Sequence, residues 1–186
     1  MIKENNSLAI FYIIVGMTVF SIQDTIVRIL ASEVSILQIM FLRSVVGLSV
    51  LFLYLKVRKI PIIFSSQYPV LTIIRAILFM FAFLFYYIGL AYLPYAVTTA
   101  LFFTTPFFIT ILSKIFLKEN IGIIRLLTII FGFIGVVIIA NPTFDSFNIF
   151  MIFPILCAFG YSASVIIIKM TSEKDRVYFQ TFHVYL

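Results

Sequence analysis

The sequence predicts an all-α, polytopic membrane protein with about six transmembrane helices. Two observations carry this. The 186 residues are 63% hydrophobic and only 11% charged, with a mean hydropathy of +1.22. A soluble domain is about a quarter charged, and a water-soluble fold of this size has too little interior to hide so much apolar surface. The apolar residues also fall in continuous runs of about 20, the length that crosses a hydrocarbon core as a helix. Outer-membrane strands would alternate over about ten residues, and disorder needs low hydrophobicity, so neither fits.

Six runs meet that length: 8–30, 34–56, 70–92, 95–117, 121–140 and 147–169. The first is too long for the apolar part of a cleaved signal peptide and reads as an ordinary span. The longest link holds Arg58, Lys59, Pro61, two serines and Pro69, a loop rich in helix breakers. Tyr92-Leu93-Pro94-Tyr95 predicts a tight turn, so the third and fourth runs form an antiparallel hairpin. Asn141-Pro142 predicts the end of the fifth.

The net charge is +6, and most basic residues bracket the apolar runs. That placement is the signature of membrane orientation and not of nucleic-acid binding. With the N-terminus in the cytoplasm, Lys3, Lys56, Arg58, Lys59, Lys114, Lys118, Arg125, Lys169, Lys174 and Arg176 lie inside. Arg28, Glu33 and Asp145 lie outside. The expectation is therefore a multi-pass protein of the inner membrane with a cytoplasmic N-terminus. Cys157 is the single cysteine and His183 the single histidine, so neither an intrachain disulfide nor a His/Cys metal centre is available, and no cofactor is expected. Cys157 reads as a small packing residue.

An internal repeat sets the expected organisation. The stretch from Phe20-Ser21 to Arg28 lies against that from Tyr161-Ser162 to Lys169, and Gln38 matches Gln180 after one inserted residue. The offset spans five helices, an odd number, so the second copy must be inverted, a geometry found in secondary transporters. Residues 8–140 would form one complete five-helix unit and 147–186 the opening of a second.

Several motifs carry a family resemblance. Arg75 opens a helix leading to Phe85-Tyr86-Tyr87-Ile88-Gly89-Leu90-Ala91-Tyr92-Leu93-Pro94. Ala96-Val97-Thr98-Thr99-Ala100-Leu101 follows, then Thr105-Pro106, Leu117-Lys118-Glu119 and Gly132-Phe133-Ile134-Gly135-Val136-Val137. With these the chain resembles the EamA-type branch of the drug/metabolite transporter superfamily, and somewhat its S-adenosylmethionine-importing subgroup. The resemblance implies a ten-helix secondary transporter of small metabolites. Four helices of the second repeat have no counterpart here.

Intramembrane ionisable groups are costly and usually face the protein interior. Asp24 and Arg43 sit at similar depths on adjacent antiparallel spans, so they are expected to pair and to line the path; the alternative is a purely structural ion pair. Thr18, Ser21, Asp24, Thr25 and Arg28 share one arc of the first helix, and that arc is expected to face inward. Arg75 shares a face with Phe79, Ala82 and Tyr86, an arrangement suited to a planar or anionic solute, although its position near a helix end also allows snorkelling. Tyr86, Tyr87 and Tyr161 lie deep enough to reach a path, whereas Tyr54, Tyr68, Tyr92 and Tyr95 fit interfacial belts. Pro106 interrupts the fourth helix and frees a carbonyl that Thr104, Thr105 and Thr110 could help satisfy; this is a hinge, a binding carbonyl or a static kink. Gly132 and Gly135 read as a packing seam, and Glu119 as a solvated or helix-start charge. The substrate-path candidates are thus Ser21, Asp24, Arg43, Arg75, Tyr86, Thr105, Pro106 and Tyr161.

The expected function is secondary transport of a small molecule across the inner membrane. The alternatives are a non-transporting structural or regulatory membrane fragment and, further off, a membrane enzyme. Against the last, the chain lacks H-E-x-x-H, G-x-S-x-G and phosphate-cradling glycine loops. Val177 to Leu186 would reach only about 15 Å as a helix, half a bilayer core. The chain therefore reads as a truncated transporter that does not transport as a monomer, its path to be completed by a missing second half or a homodimer.

Overall fold

The computed structural model describes residues 6–60, 66–140, 148–172 and 181–182, without the side chains of residues 6–9, 136, 139 and 140. The expectations resting on Lys3, Pro61, Asn141-Pro142, Asp145, Lys174, Arg176, Gln180, His183 and the final apolar stretch fall outside these residues. Seven α-helices follow in order: α1 Asn6–Leu30, α2 Ile36–Val57, α3 Pro69–Tyr92, α4 Tyr95–Phe102, α5 Thr105–Phe116, α6 Ile123–Ala140 and α7 Ile152–Thr171. A 3-10 turn, Ile149–Met151, leads into α7. Five segments are long and apolar enough to cross a membrane, with α4 and α5 together making one of them. The sixth, α6, is apolar over its 18 residues apart from Arg125 and Thr128.

Local chemistry sets the helix ends. Gln38 accepts a hydrogen bond from the Ser35 N–H at 3.2 Å and satisfies one donor at the start of α2. Pro69 opens α3, where its missing N–H costs nothing. Lys59 and Lys118 take left-handed conformations just past α2 and the Leu117 cap of α5 (φ 53° and 54°). At Lys118 this turn folds Glu119 back, so that Ser113 donates to its carboxylate at 2.5 Å.

The fourth span, expected over 95–117 with an interruption at Pro106, forms as two helices. The chain turns at Phe103–Thr104 and restarts at Thr105 with Pro106 in the first turn. Proline has no N–H for the Phe102 carbonyl, and the Thr105 hydroxyl donates to it instead, at 2.5 Å. Thr104 does the same for Leu101 at 2.7 Å. Thr110 takes no part: its buried hydroxyl has no partner.

The core is built around α3, against which α7 packs most extensively, while α7 also packs along α5. Small residues permit the close approach. A Cβ on Gly89 would lie 2.8 Å from Cγ of Pro154, and one on Gly160 would lie 3.3 Å from the Leu78 carbonyl oxygen. These pairings make α3 and α7 antiparallel. On the other side, Ser162 donates to the Thr105 carbonyl at 3.1 Å. Such close crossings are how helices associate where apolar surface gains nothing by leaving lipid. The α6 seam does not act this way: a Cβ at Gly132 or Gly135 would meet nothing within 4 Å among the described residues.

Glu119 is the hub of one end of the bundle. Lys169 donates to it at 3.1 Å and Arg125 lies at 3.6 Å, so one carboxylate ties the α5–α6 link to α6 and α7. The Ser113 hydroxyl and the Lys169 ammonium hold its carboxyl below its ordinary range. The sequence reading of a solvated or helix-start charge does not anticipate the link to Lys169.

Candidate functional site: a carboxylate-bearing aromatic cavity

A cavity of about 410 Å³ lies between α1, α3, α4, α5 and α7. Six of the eight residues expected on the path line it: Ser21, Asp24, Tyr86, Thr105, Pro106 and Tyr161. The other two, Arg43 and Arg75, do not.

Three polar contacts fix α1 on α3. The Tyr86 hydroxyl donates to Oδ2 of Asp24 at 2.8 Å, Gln23 donates to the Tyr87 hydroxyl at 3.1 Å, and Arg28 reaches the Leu93 carbonyl at 3.4 Å. Phe20 meets Phe83 edge-on with centroids 6.5 Å apart. All four contacts lie in the second half of α1, whose earlier residues, from Ile10 to Val19, expose their large side chains. Asp24 is 2% exposed, and its second oxygen, Oδ1, has no partner among the described residues.

Asp24 and Arg43 make no ion pair within 4.0 Å, such pairs being made only at Glu119 among the described residues, although the Arg43 charge still acts on Asp24. The Arg43 guanidinium instead stacks 3.6 Å from the centroid of Phe83, a ring that lines the cavity. A cation–π contact at a half-buried position contributes about 1 kcal/mol. Equal depth along two helices puts charges at one level but does not fix their azimuth.

Arg75 is 4% exposed and does not snorkel; its Nη2 has no hydrogen-bond partner among the described residues. Residues 75, 82 and 86 do share a face of α3, but Ala82 and Tyr86 reach the cavity whereas Arg75, about 10 Å further along the helix, does not. Tyr87 is also turned away from the cavity and is fully buried. The polar arc of α1 is only partly inward. Thr18 and Thr25 are exposed, and each hydroxyl donates to the carbonyl four residues earlier, at 2.9 and 3.0 Å. That internal bond lowers the cost of a lipid-facing threonine.

Sequence reasoning missed other wall residues. Tyr95, assigned to an interfacial belt, lines the cavity, as do Phe102, Thr99 and Cys157. Nothing in their spacing distinguishes them from packing residues; the α4–α5 break and the α3–α7 crossing bring them in. Tyr86, Phe102 and Tyr161 form a linked aromatic wall, with centroids 5.2 and 5.8 Å apart. Cavity walls of apolar rings with few polar groups are typical of small-molecule sites.

Comparison with known proteins agrees with this architecture. The model of the EamA-like transporter family matches residues 7–141. The chain is similar to a riboflavin transporter of Brucella anthropi, with 40% identity over 77 residues, covering 40% of this chain and 27% of that protein. It is similar to the S-adenosylmethionine uptake transporter of Rickettsia bellii, with 31% identity over 119 residues, covering 64% and 41%. The pseudopaline exporter CntI of Pseudomonas aeruginosa is 23% identical over 165 residues, covering 88% and 57%. The chain thus spans at most little more than half the length of these three relatives. No solved structure matches significantly. With a family match over residues 7–141 and a bundle of membrane-length helices around a cavity, the chain belongs to the EamA-like transporter family.

Proposed function

We propose that this chain forms the substrate-binding wall of a secondary transporter that moves a small organic molecule across the bacterial inner membrane. The observation that carries the reading is the aromatic cavity with a buried carboxylate at its edge, inside a bundle whose outer faces are apolar. Ser21, Asp24, Tyr86, Thr105, Pro106 and Tyr161 contact the solute in this reading, while Arg43 and Arg75 act from outside the cavity. Gly16 provides the test. It lines the cavity, and a Cβ there meets nothing within 4 Å among the described residues, so a side chain can start there and Gly16→Phe brings a ring to the cavity wall. Residues 7–172, grafted in place of the corresponding helices of the Rickettsia bellii relative, should support S-adenosylmethionine accumulation in cells, and Gly16→Phe should reduce it at least about tenfold at equal protein level. Undiminished uptake by the blocked variant would refute the reading.

Two further parts of the reading concern organisation. The first is that residues 147–186 open a second, inverted unit. In support, contacts of residues 20, 24 and 28 with 83, 86 and 93 run α1 parallel to α3, while α7 runs antiparallel to it. The first helices of the two units would then point in opposite directions. The second part is a cytoplasmic N-terminus. Lys56, Arg58, Lys59, Lys114, Lys118, Arg125 and Lys169 cluster at one end of the bundle, which supports placing that end inside. With Cys157 replaced by alanine, a membrane-impermeant thiol reagent added outside should label Ser32→Cys and leave Lys59→Cys unlabelled. The reverse pattern would invert the topology.

A further inference from the structure

We infer that the cavity selects positively charged organic solutes, held by the free oxygen of Asp24 and the surrounding ring faces. The inference rests on the transport reading and deepens it. Asp24 is the one charged side chain among the described residues that line the cavity. One of its oxygens is occupied by Tyr86, and the other has no partner among the described residues although Asp24 is only 2% exposed. A buried carboxylate oxygen without a donor is costly in the empty protein, and a bound cation supplies what is missing.

The neighbours point the same way. Phe20, Phe83, Tyr86, Phe102 and Tyr161 present rings around the same space. Ring faces carry negative potential and attract cations, most strongly where water is excluded. The two nearby arginines do not reverse this sign. Arg43 lies against Phe83, a wall ring, near enough for its charge to act on Asp24 but outside the cavity lining, and Arg75 does not reach the cavity. An anionic solute would meet a carboxylate and ring faces with no lining cation to offset them. A neutral one would leave Oδ1 unpaired unless it brought a donor. An organic cation, such as an ammonium or sulfonium on an apolar or planar body, satisfies both the oxygen and the rings.

The test uses thiol reagents that differ in charge. Ser21 lines the cavity one helical turn before Asp24, so Ser21→Cys in a Cys157→Ala background places a single thiol there. The full chain, in lipid vesicles permeabilised to give access from both faces, is reacted with the trimethylammonium-ethyl, sulfonatoethyl and methyl methanethiosulfonates. Rates are divided by those of a free thiol in solution. The cationic reagent should be favoured over the anionic one by about tenfold or more, as expected for one carboxylate a few ångströms away in a poorly hydrated site. Asp24→Asn should bring the ratio near one, and Asp24→Glu should keep it. Normal labelling by all three reagents with a ratio near one overturns the cation selectivity while leaving the transport reading standing. A ratio that survives Asp24→Asn overturns the assignment to Asp24. Failure of even the small neutral reagent to react means that the cavity is not accessible, and overturns the transport reading itself.

Discussion

The bond from Tyr86 to Asp24 is the contact most exposed to experimental refutation, because it serves both the packing of α1 and the cavity. At 2.8 Å, with the acceptor a buried carboxylate, it is a charge-assisted hydrogen bond. Such bonds contribute about 1.5–3 kcal/mol in soluble proteins. Within membranes, cycle measurements on interhelical bonds average about 0.6 kcal/mol and reach about 1.7, because the disassembled helices find other partners. Asp24 should lie at the upper end, since its other oxygen is already unpaired and Tyr86→Phe leaves the whole carboxylate without a donor. We therefore expect Tyr86→Phe alone to cost about 1.5–2 kcal/mol. In an Asp24→Asn background the same change should cost only about 0.5 kcal/mol, a neutral bond's share. The coupling is then about 1–1.5 kcal/mol, close to a tenfold change in the folding equilibrium. Cys157 supplies the assay. It is buried and is the single cysteine, so a fluorogenic maleimide reports unfolding of the α3–α7 core during a detergent titration. A coupling below about 0.3 kcal/mol would show that the hydroxyl and carboxylate act independently, and the argument for a partly satisfied Asp24 would fail with it.

The other expectations follow from single contacts. Gly89→Ala should destabilise the bundle by about 1–3 kcal/mol because its Cβ would press on Pro154, whereas Gly132→Ala, with open space around it, should be neutral or slightly stabilising; equal effects in the same titration would contradict the packing. A cycle on Asp24 and Arg43 should show weaker coupling than that on Asp24 and Tyr86, since Arg43 sits on Phe83; a larger coupling would restore the direct pair. Glu119 has its folded pKa depressed, so its contribution is complete above the ordinary value near 4.5 and is lost as pH falls through the lower folded value. The stability gap between the wild type and Glu119→Gln should therefore be constant from pH 7 to about 5 and close on further acidification; a gap that stays unchanged down to pH 3 would remove the charge from the account.

The sequence by itself determined the class of protein, the placement of the helices and most of the cavity's polar residues. Apolar runs of membrane length leave a chain few alternatives, because an unpaired peptide group in hydrocarbon costs several kcal/mol and a helix pairs all but its ends. The same reasoning marks Asp24: a carboxylate in such a run has to be accommodated by protein, so its burial is legible from composition alone. Thr105-Pro106 is legible for a similar reason, since proline removes a donor wherever it falls in a helix. Partners and azimuths were decided only by the tertiary structure. Asp24 meets Tyr86 and not Arg43 because α3 and not α2 supplies the neighbouring hydroxyl, and Arg43 stacks on a ring face. Tyr87 and Arg75 occupy a helix rich in cavity residues yet reach no part of the cavity, since about 100° of rotation separates Tyr87 from Tyr86 and about two turns of rise separate Arg75 from Ala82. Glu119 looks like any loop charge until α7 brings Lys169 beside it across 50 residues of chain. Periodicity fixes which residues share a face of one helix; which face meets which neighbour depends on small-residue crossings such as Gly89–Pro154, whose fit exists only once both helices are in place.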